Sequence, residues 1–335
     1  MKIESLLKDY MKEEIMAPGY SMAVLKEGNC VYKKSYGYSN LENEIEINSQ
    51  TNFYLASLSK SFTASAILLL SERGLLNLND RVKKYFKDFP GCCEEIRILD
   101  LIYHRSGLPD YFDYYFENKM NINGMTNEDV YNFVLTRTAL NFNVGEKFQY
   151  SNTGYVLLSM IIEKVSGLSY SQFLKDNFFA PLGMENTYVF TEDKPIIPNR
   201  AYGYEKKDAK FACYDYYVLT TGDGGIYSSI DDLLLWMKSF NEERFFKKDI
   251  IDIIFKSGDL NDGNDSNYGF GWFILQKDFT KVVFHSGQLG GFTNIMMKIP
   301  ENNFSILILT NYYRDSWKKI SKLVHESAIE VYEAF

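Results

Sequence analysis

The order of hydrophobic periods along the chain limits its fold more than any single motif does. Strand-like alternation stands towards both ends, and helical patterning fills the middle. Ser21–Leu25 and Cys30–Ser35 alternate around Glu27-Gly28-Asn29 and read as a hairpin, and Thr51–Ala56 is a further short extended segment. Gly269–Leu275, Lys281–His285, Thr293–Ile299 and Phe304–Thr310 read as strands joined by tight turns. Between the two groups, Glu94–His104, Thr126–Thr138, Thr153–Ser166 and Tyr170–Phe179 carry helical patterns separated by Gly- and Pro-containing loops. Further helices are expected over Leu58–Arg73, ended by Gly74, and over Ile230–Phe240. Ile3, Leu6, Leu7, Tyr10, Met11 and Ile15 share one helical face, and Trp317–Phe335 reads as a terminal helix. Strands gathered in runs, rather than alternating with helices, predict an α+β fold. The expected assembly is one antiparallel sheet built from both ends of the chain, with the N- and C-terminal helices on one face. The helical region packs on the other face and leaves a cleft between. Residues 1–79 and 220–335 make up the α/β part, residues 80–219 the mainly helical part, and 1–335 a single unit.

The 335 residues are 46% hydrophobic, enough for a sizeable core. A net charge of −8 and no visible basic stripe argue against nucleic acid as a partner. No run is apolar and long enough for a transmembrane segment, and the charged N-terminus does not read as a signal peptide. A cytoplasmic location is therefore expected for the sequence as written, and an extracytoplasmic one if a leader precedes it. Cys30, Cys92, Cys93 and Cys213 show no zinc spacing and read as reduced thiols. With only three histidines and no H-E-x-x-H, a His-based metal site is not expected, and no Walker A or dinucleotide glycine pattern occurs.

"FYLASLSKSFTASAILLL", residues 53–70, places Ser57 and Lys60 one helical turn apart where an extended stretch meets an apolar helix. S-x-x-K also occurs at Ser5–Lys8 and Ser316–Lys319, on polar sides of the terminal helices. Only the Ser57 copy opens a helix that is apolar all round and therefore buried. Burial and the positive end of the helix dipole both disfavour the lysine ammonium. A neutral amine next to a hydroxyl takes its proton and makes serine a nucleophile. The same residues also fit a serine N-cap and a lysine that reaches the surface, and the motif alone favours that ordinary reading. Two other stretches tip the balance towards chemistry. "FQYSNTGY" sets Tyr150-Ser151-Asn152 before a helix, where a tyrosine can relay a proton and an amide can hold a carbonyl, although alone it fits an ordinary helix cap by Ser151 or Asn152 better. "VVFHSGQLGGF" sets His285-Ser286-Gly287 at a strand end, where glycine admits a close substrate and the Gln288 N–H faces an oxyanion.

These three segments, in this order and spacing, resemble the serine β-lactamase and penicillin-binding-protein superfamily. The branch is that of class C β-lactamases, D-alanyl-D-alanine carboxypeptidases and family VIII esterases. Supporting stretches are "LIYHRSGLPDY", "YSNTGYVLLSMIIEKVSG", "PLGMENT" and "GDGGIYSSIDDLLLW". The resemblance implies a β-lactamase/transpeptidase-like fold and a serine hydrolase working through an acyl-enzyme on an amide, ester or β-lactam carbonyl, with no cofactor. Its partners are then small molecules or peptides. It implies Ser57 as nucleophile, Lys60 as activating base and Tyr150 in the proton traffic. Asn152 then orients the acyl group, His285, Ser286 and Gly287 line the cleft, and the backbone N–H groups of Ser57 and Gln288 form the oxyanion hole. His285 stands where lysine is usual and offers a charge for a substrate carboxylate only part of the time. That change, and Tyr-Ser-Asn in place of Tyr-Ala-Asn, lean towards the carboxypeptidase side. A binding protein that holds a penicillin or peptidoglycan fragment without hydrolysis is the alternative from another class. His104 reads as a structural loop residue and His325 as surface or packing. The tyrosine clusters at Tyr111–Phe116 and Tyr214–Tyr217 fit cleft lining and packing equally.

Overall fold

A computed structural model describes residues 16–277 and 280–313. The expected first and last helices, His325 and the S-x-x-K copies at Ser5 and Ser316 lie outside the described residues.

Six strands form the main sheet: β1 (Tyr20–Lys26), β2 (Asn29–Tyr36), β3 (Phe273–Lys277), β4 (Thr280–Leu289), β5 (Phe292–Ile299) and β6 (Phe304–Thr310), in the order β3-β4-β5-β6-β1-β2. Every neighbouring pair is antiparallel. The pairing of β1 with β6, Tyr20 opposite Thr310 through Lys26 opposite Phe304, joins the two ends of the chain in one sheet. Glu27 and Gly28 turn the first hairpin at φ +51° and +79°, the left-handed pair that suits a two-residue turn. The central strands are buried on both faces. Ala23, Leu25, Leu307 and Leu309 enter one core, while Met22, Val24, Ile306 and Ile308 enter a second, as the two-residue period of a strand requires.

The helices include α1 (Ser59–Glu72), α2 (Tyr111–Glu117), α3 (Asn152–Ser166) and α4 (Ile230–Asn241), with others at Ile98–Ile102, Asn127–Leu135, Tyr170–Leu174 and Lys248–Ile254. The expected helix over Glu94–His104 is shorter. The Asp100 carboxylate accepts from the Arg97 N–H at 2.9 Å and starts it at Ile98, and His104 at φ +53° lies beyond its end. Strand β3 begins at Phe273 rather than Gly269, and β4 runs four residues past His285, so the His-Ser-Gly segment lies inside a strand and not at its end. The mainly helical stretch also carries an unforeseen hairpin, Tyr204–Lys207 with Lys210–Cys213. The fold is α+β, and α1 starts against β4 and β5, which sets the site described next.

Candidate active site

A three-residue turn, Ala56–Leu58, links the short strand Phe53–Tyr54 to α1. Ala56 sits at φ +49°, left-handed backbone that costs a side-chain-bearing residue about 1–2 kcal/mol. The surroundings hold it there: the Leu55 N–H donates to the Ile226 carbonyl at 2.8 Å, and the Asn294 amide donates to the Tyr54 carbonyl at 2.8 Å. Ser57 follows, half-buried, and no side chain caps either helical start. The capping alternative for Ser57 is therefore absent from the structure.

Lys60 does not reach the surface; its side chain is fully buried. Its Nζ lies 3.0 Å from Ser57 Oγ, 2.7 Å from Asn152 Oδ1 and 2.9 Å from the Asp223 carbonyl oxygen. Burial pushes its pKa down to about 8, with the charges of Asp223 and then Asp110 pulling it back up. A neutral amine has two N–H groups and one lone pair. The Asn152 and Asp223 carbonyl oxygens only accept, so they take the two N–H groups. The lone pair then faces Ser57 Oγ, the one neighbour of the three that donates.

Tyr150 is placed by rings. His104 lies 4.3 Å from it, centroid to centroid, and Phe273 stacks at 6.1 Å and 11°. Lys60 Nζ is 4.9 Å from its centroid. Burial raises its pKa well above the ordinary phenol value, with the adjacent Ser57 hydroxyl working the other way, so Tyr150 is a neutral phenol beside Ser57. His104 Nδ1 accepts from the Ser151 N–H at 3.0 Å, which fixes the loop before α3. Burial, and then the Lys60 charge, keep that imidazole neutral.

Asn152 is aimed by Asp110, a residue that the sequence reading did not single out. Asp110 Oδ2 accepts both the Asn152 N–H, at 2.7 Å, and its Nδ2–H, at 2.9 Å, which turns the amide carbonyl towards Lys60. The other carboxylate oxygen caps α2 through the Phe112 N–H at 2.7 Å. Burial lifts the Asp110 pKa to about 6, against the amide N–H donors of Asn152 and Phe112. The one sequence signal was an Asp directly before an aromatic helix, an N-cap pattern.

On β4, His285 is 1% exposed, with Nδ1 2.7 Å from the Ser286 carbonyl and Nε2 2.9 Å from the Tyr268 hydroxyl. A carbonyl only accepts, so Nδ1 carries the proton and Nε2 accepts from Tyr268. Burial, then Lys60, lower its pKa to about 3. The expected part-time charge at His285 is thus corrected: this imidazole is neutral throughout the physiological range. Gly287 presses on the Leu55–Ser57 backbone. A Cβ there would meet the Leu55 carbonyl oxygen at 2.1 Å and the Ser57 nitrogen at 3.2 Å, so only glycine lets β4 approach. Gln288 follows one residue on, at the exposed rim.

The structure thus gathers Ser57, Lys60, Tyr150, Asn152, His285 and Gly287 around one point. Ser286 supplies its carbonyl to His285. Phe112 and Phe116 of α2 stack at 5.8 Å, and Phe116 meets Tyr216 edge-on at 6.4 Å, so parts of the two tyrosine clusters form one aromatic wall. Among the described residues, no three His, Cys, Asp or Glu side chains are arranged to hold a metal ion, and no helix is long and apolar enough to cross a membrane.

A family model described as Beta-lactamase matches residues 3–327. Penicillin-binding protein 4* of Bacillus subtilis (strain 168) is 33% identical over 309 residues, covering 86% of this chain and 67% of its own. Protein flp of Staphylococcus aureus (strain MW2) is 30% identical over 302 residues, and the chain spans only 59% of its length. Among solved structures, an octameric penicillin-binding protein homologue from Pyrococcus abyssi superposes with a TM-score of 0.84 at 32% identity, over 98% of this chain and 77% of that one. D-amino acid amidase from Ochrobactrum anthropi SV3, complexed with L-phenylalanine amide, gives 0.76 at 26% identity, over 92% and 90%.

Proposed function

The chain belongs to the beta-lactamase family, and from that premise we propose that it is a serine hydrolase in which Ser57 is acylated by an amide, ester or β-lactam carbonyl. The observation that carries this reading is the bonding of Lys60: buried, with two acceptors for its N–H groups and its lone pair towards Ser57 Oγ. Lys60 Nζ takes the Ser57 proton as Oγ bonds to the carbonyl carbon and the carbonyl π electrons move to oxygen. The resulting oxyanion sits between the Ser57 and Gln288 backbone N–H groups. It collapses as the bond to the leaving group breaks, and the leaving group takes the proton back from Lys60 through the Tyr150 hydroxyl. Water repeats the sequence on the acyl-enzyme and returns Ser57 to its free form. A positioned base contributes roughly 10²–10⁴-fold to such a step.

The α/β part, 1–79 and 220–335, supplies Ser57, Lys60 and β4, and the helical part, 80–219, supplies Tyr150 and Asn152, so the catalytic unit needs both. A neutral His285 gives this cleft no charge of its own for a substrate carboxylate. That favours acyl donors with an uncharged leaving group, and the aromatic wall favours apolar acyl groups. The similarity to an amidase of D-amino acids supports the same choice over carboxylate-ended peptides.

Intact-protein mass spectrometry over time tests the reading, with benzylpenicillin, a p-nitrophenyl ester and a D-amino acid amide on wild type and Ser57→Ala. An acyl adduct or product release on wild type alone is the expected result. Failure of all three probes to acylate or turn over overturns it.

A further inference from the structure

The Asp223 side chain takes no part in the proposed acyl transfer, yet the residue is 3% exposed and its main-chain carbonyl touches Lys60 Nζ. It belongs to the Thr220–Gly225 loop that enters the short strand Ile226–Ser228. That loop is fastened into the core. Thr63 of α1 donates to the Gly222 carbonyl at 2.7 Å, Ser159 of α3 donates to the Thr221 carbonyl at 3.0 Å, and the Gly225 N–H donates to the Tyr54 hydroxyl at 3.2 Å. Gly222 at φ +95° passes so near α3 that a Cβ would meet the Tyr155 carbonyl oxygen at 2.3 Å. A loop drawn this tightly between two helices carries an acid into their interior. Asp223 Oδ2 accepts from the Tyr111 hydroxyl at 2.7 Å, and Tyr111 also meets the Thr220 hydroxyl at 3.0 Å. Oδ1 has no hydrogen-bond partner among the described residues. A buried carboxylate oxygen without a donor is destabilising unless a charge offsets it. The charge at hand is Lys60, whose Nζ already donates to the Asp223 main-chain carbonyl.

We propose that Asp223 is a positioning residue for the reaction at Ser57: its carboxylate is the counter-ion of the ammonium that Lys60 becomes on taking the Ser57 proton, and its carbonyl keeps the Nζ lone pair turned to Ser57. Without a counter-ion, proton transfer from Ser57 Oγ to Lys60 Nζ places a new cation in a fully buried pocket. Burial raises the Asp223 pKa, and the Lys60 charge and then the Tyr111 hydroxyl pull it back down; with Asp223 ionised beside Lys60, the transfer completes an ion pair instead. The other titratable groups around Nζ are Asp110 at the start of α2, Tyr150 and Tyr155, and the neutral His104 and His285. Around Asp223 they are Tyr54, Tyr111 and Tyr170, all raised by burial and neutral. Asp110 spends its Oδ2 on Asn152 and its Oδ1 on the α2 cap, so Asp223 is the acid of the two with an oxygen to spare.

The proposal rests on the acyl-transfer reading, and its test separates the two. The measurement is kcat/KM for a p-nitrophenyl ester from pH 5 to 10 on wild type and Asp223→Asn, with thermal melting as a check of folding. Removing the negative charge makes Lys60 a weaker base. The acid limb then moves down by about one pH unit, and the plateau falls about tenfold. A folded variant with an unshifted limb, whether slower or not, overturns the counter-ion role, because a purely structural loss lowers the rate without moving the limb. If Asp223→Asn does not fold, Tyr111→Phe decides: it removes the donor that favours the anion, so the limb moves the same way by less, and an unchanged limb overturns the proposal. If no probe acylates wild type, the acyl-transfer reading falls. The Lys60 titration followed by ¹³Cε NMR, assigned through Lys60→Arg, then judges Asp223 alone, and an equal midpoint in wild type and Asp223→Asn overturns it.

Discussion

Two lysines in this molecule share burial and proton affinity but not neighbours. Lys60 at the start of α1 is fully buried, and Lys298 near the end of β5 is 2% exposed. Burial lowers both to about 8. Lys298 Nζ donates to Asn241 Oδ1 at the end of α4, where helix carbonyls favour a cation, and the charge nearest in effect is another cation, Lys248. Lys60 instead touches a hydroxyl that can lose a proton, and two buried acids stand near it. A depressed lysine therefore does not make a site. What separates the two is the donor facing the lone pair.

The largest effect expected from that difference is on Ser57 and Lys60 themselves. Ser57→Ala removes about 10³-fold or more of the acylation rate measured by intact mass. Lys60→Met leaves the hydroxyl without a base, and kcat/KM for the ester falls by roughly 10²–10⁴-fold. If Lys60→Met keeps wild-type activity, the base lies elsewhere and the contrast between the lysines has no chemical content.

The pH profile is the next test in size. Below about 8, Lys60 is an ammonium, its three N–H groups serve as donors to all three neighbours, and no lone pair remains for Ser57. Above it, the neutral amine is the base. Activity is expected to rise about tenfold per unit below that value and to level above it. A profile flat from pH 5 to 9 removes the neutral-lysine base. Asp110→Asn comes below that. It keeps the size of the side chain but weakens the acceptor that turns the Asn152 carbonyl to Lys60, and about a tenfold loss of kcat/KM is expected, recovered in part by Asp110→Glu. Equal activity in Asp110→Asn would mean that Asn152 holds its orientation without the carboxylate.

What the sequence made legible follows from range. The Ser57–Lys60 relation is local, one helical turn at the start of a largely apolar helix, so periodicity exposes the pair, and the Tyr150 and His285 segments decide between a cap and chemistry. Gly287 was legible only in part: it reads as a strand-end glycine admitting a close substrate, whereas it lies inside β4 and the close approach is to the Leu55–Ser57 backbone. Asp110 and Asp223 were not readable, because their partners stand 42 and 163 residues away and only the fold brings them together. The neutrality of His285 was hidden for the same reason: it depends on Tyr268 and on burial beneath Lys60, not on the residues beside it. The hairpin Tyr204–Lys207 with Lys210–Cys213 escaped because its residues are largely charged or polar, and strand alternation needs an apolar face to show.

The smallest effect is the one that tests the comparison from the other side. Lys298→Met replaces a buried cation by an apolar side chain of similar length. The loss is one amide acceptor, Asn241 Oδ1, left without its donor, which costs about 1–3 kcal/mol when buried. The gain is release from desolvating a charge that has no acid partner in contact among the described residues and a second lysine, Lys248, acting against it. The two oppose each other, so urea unfolding is expected to show a stability change within about 1 kcal/mol. Ester kcat/KM should stay within about twofold of wild type, because Lys298 shares no hydrogen-bond partner with Ser57, Lys60 or Tyr150. A large loss of activity in a folded Lys298→Met would mean that the end of β5 communicates with β4 and the oxyanion donors. In that case proton affinity set by burial, rather than the donor beside it, would be the property the two lysines share in function.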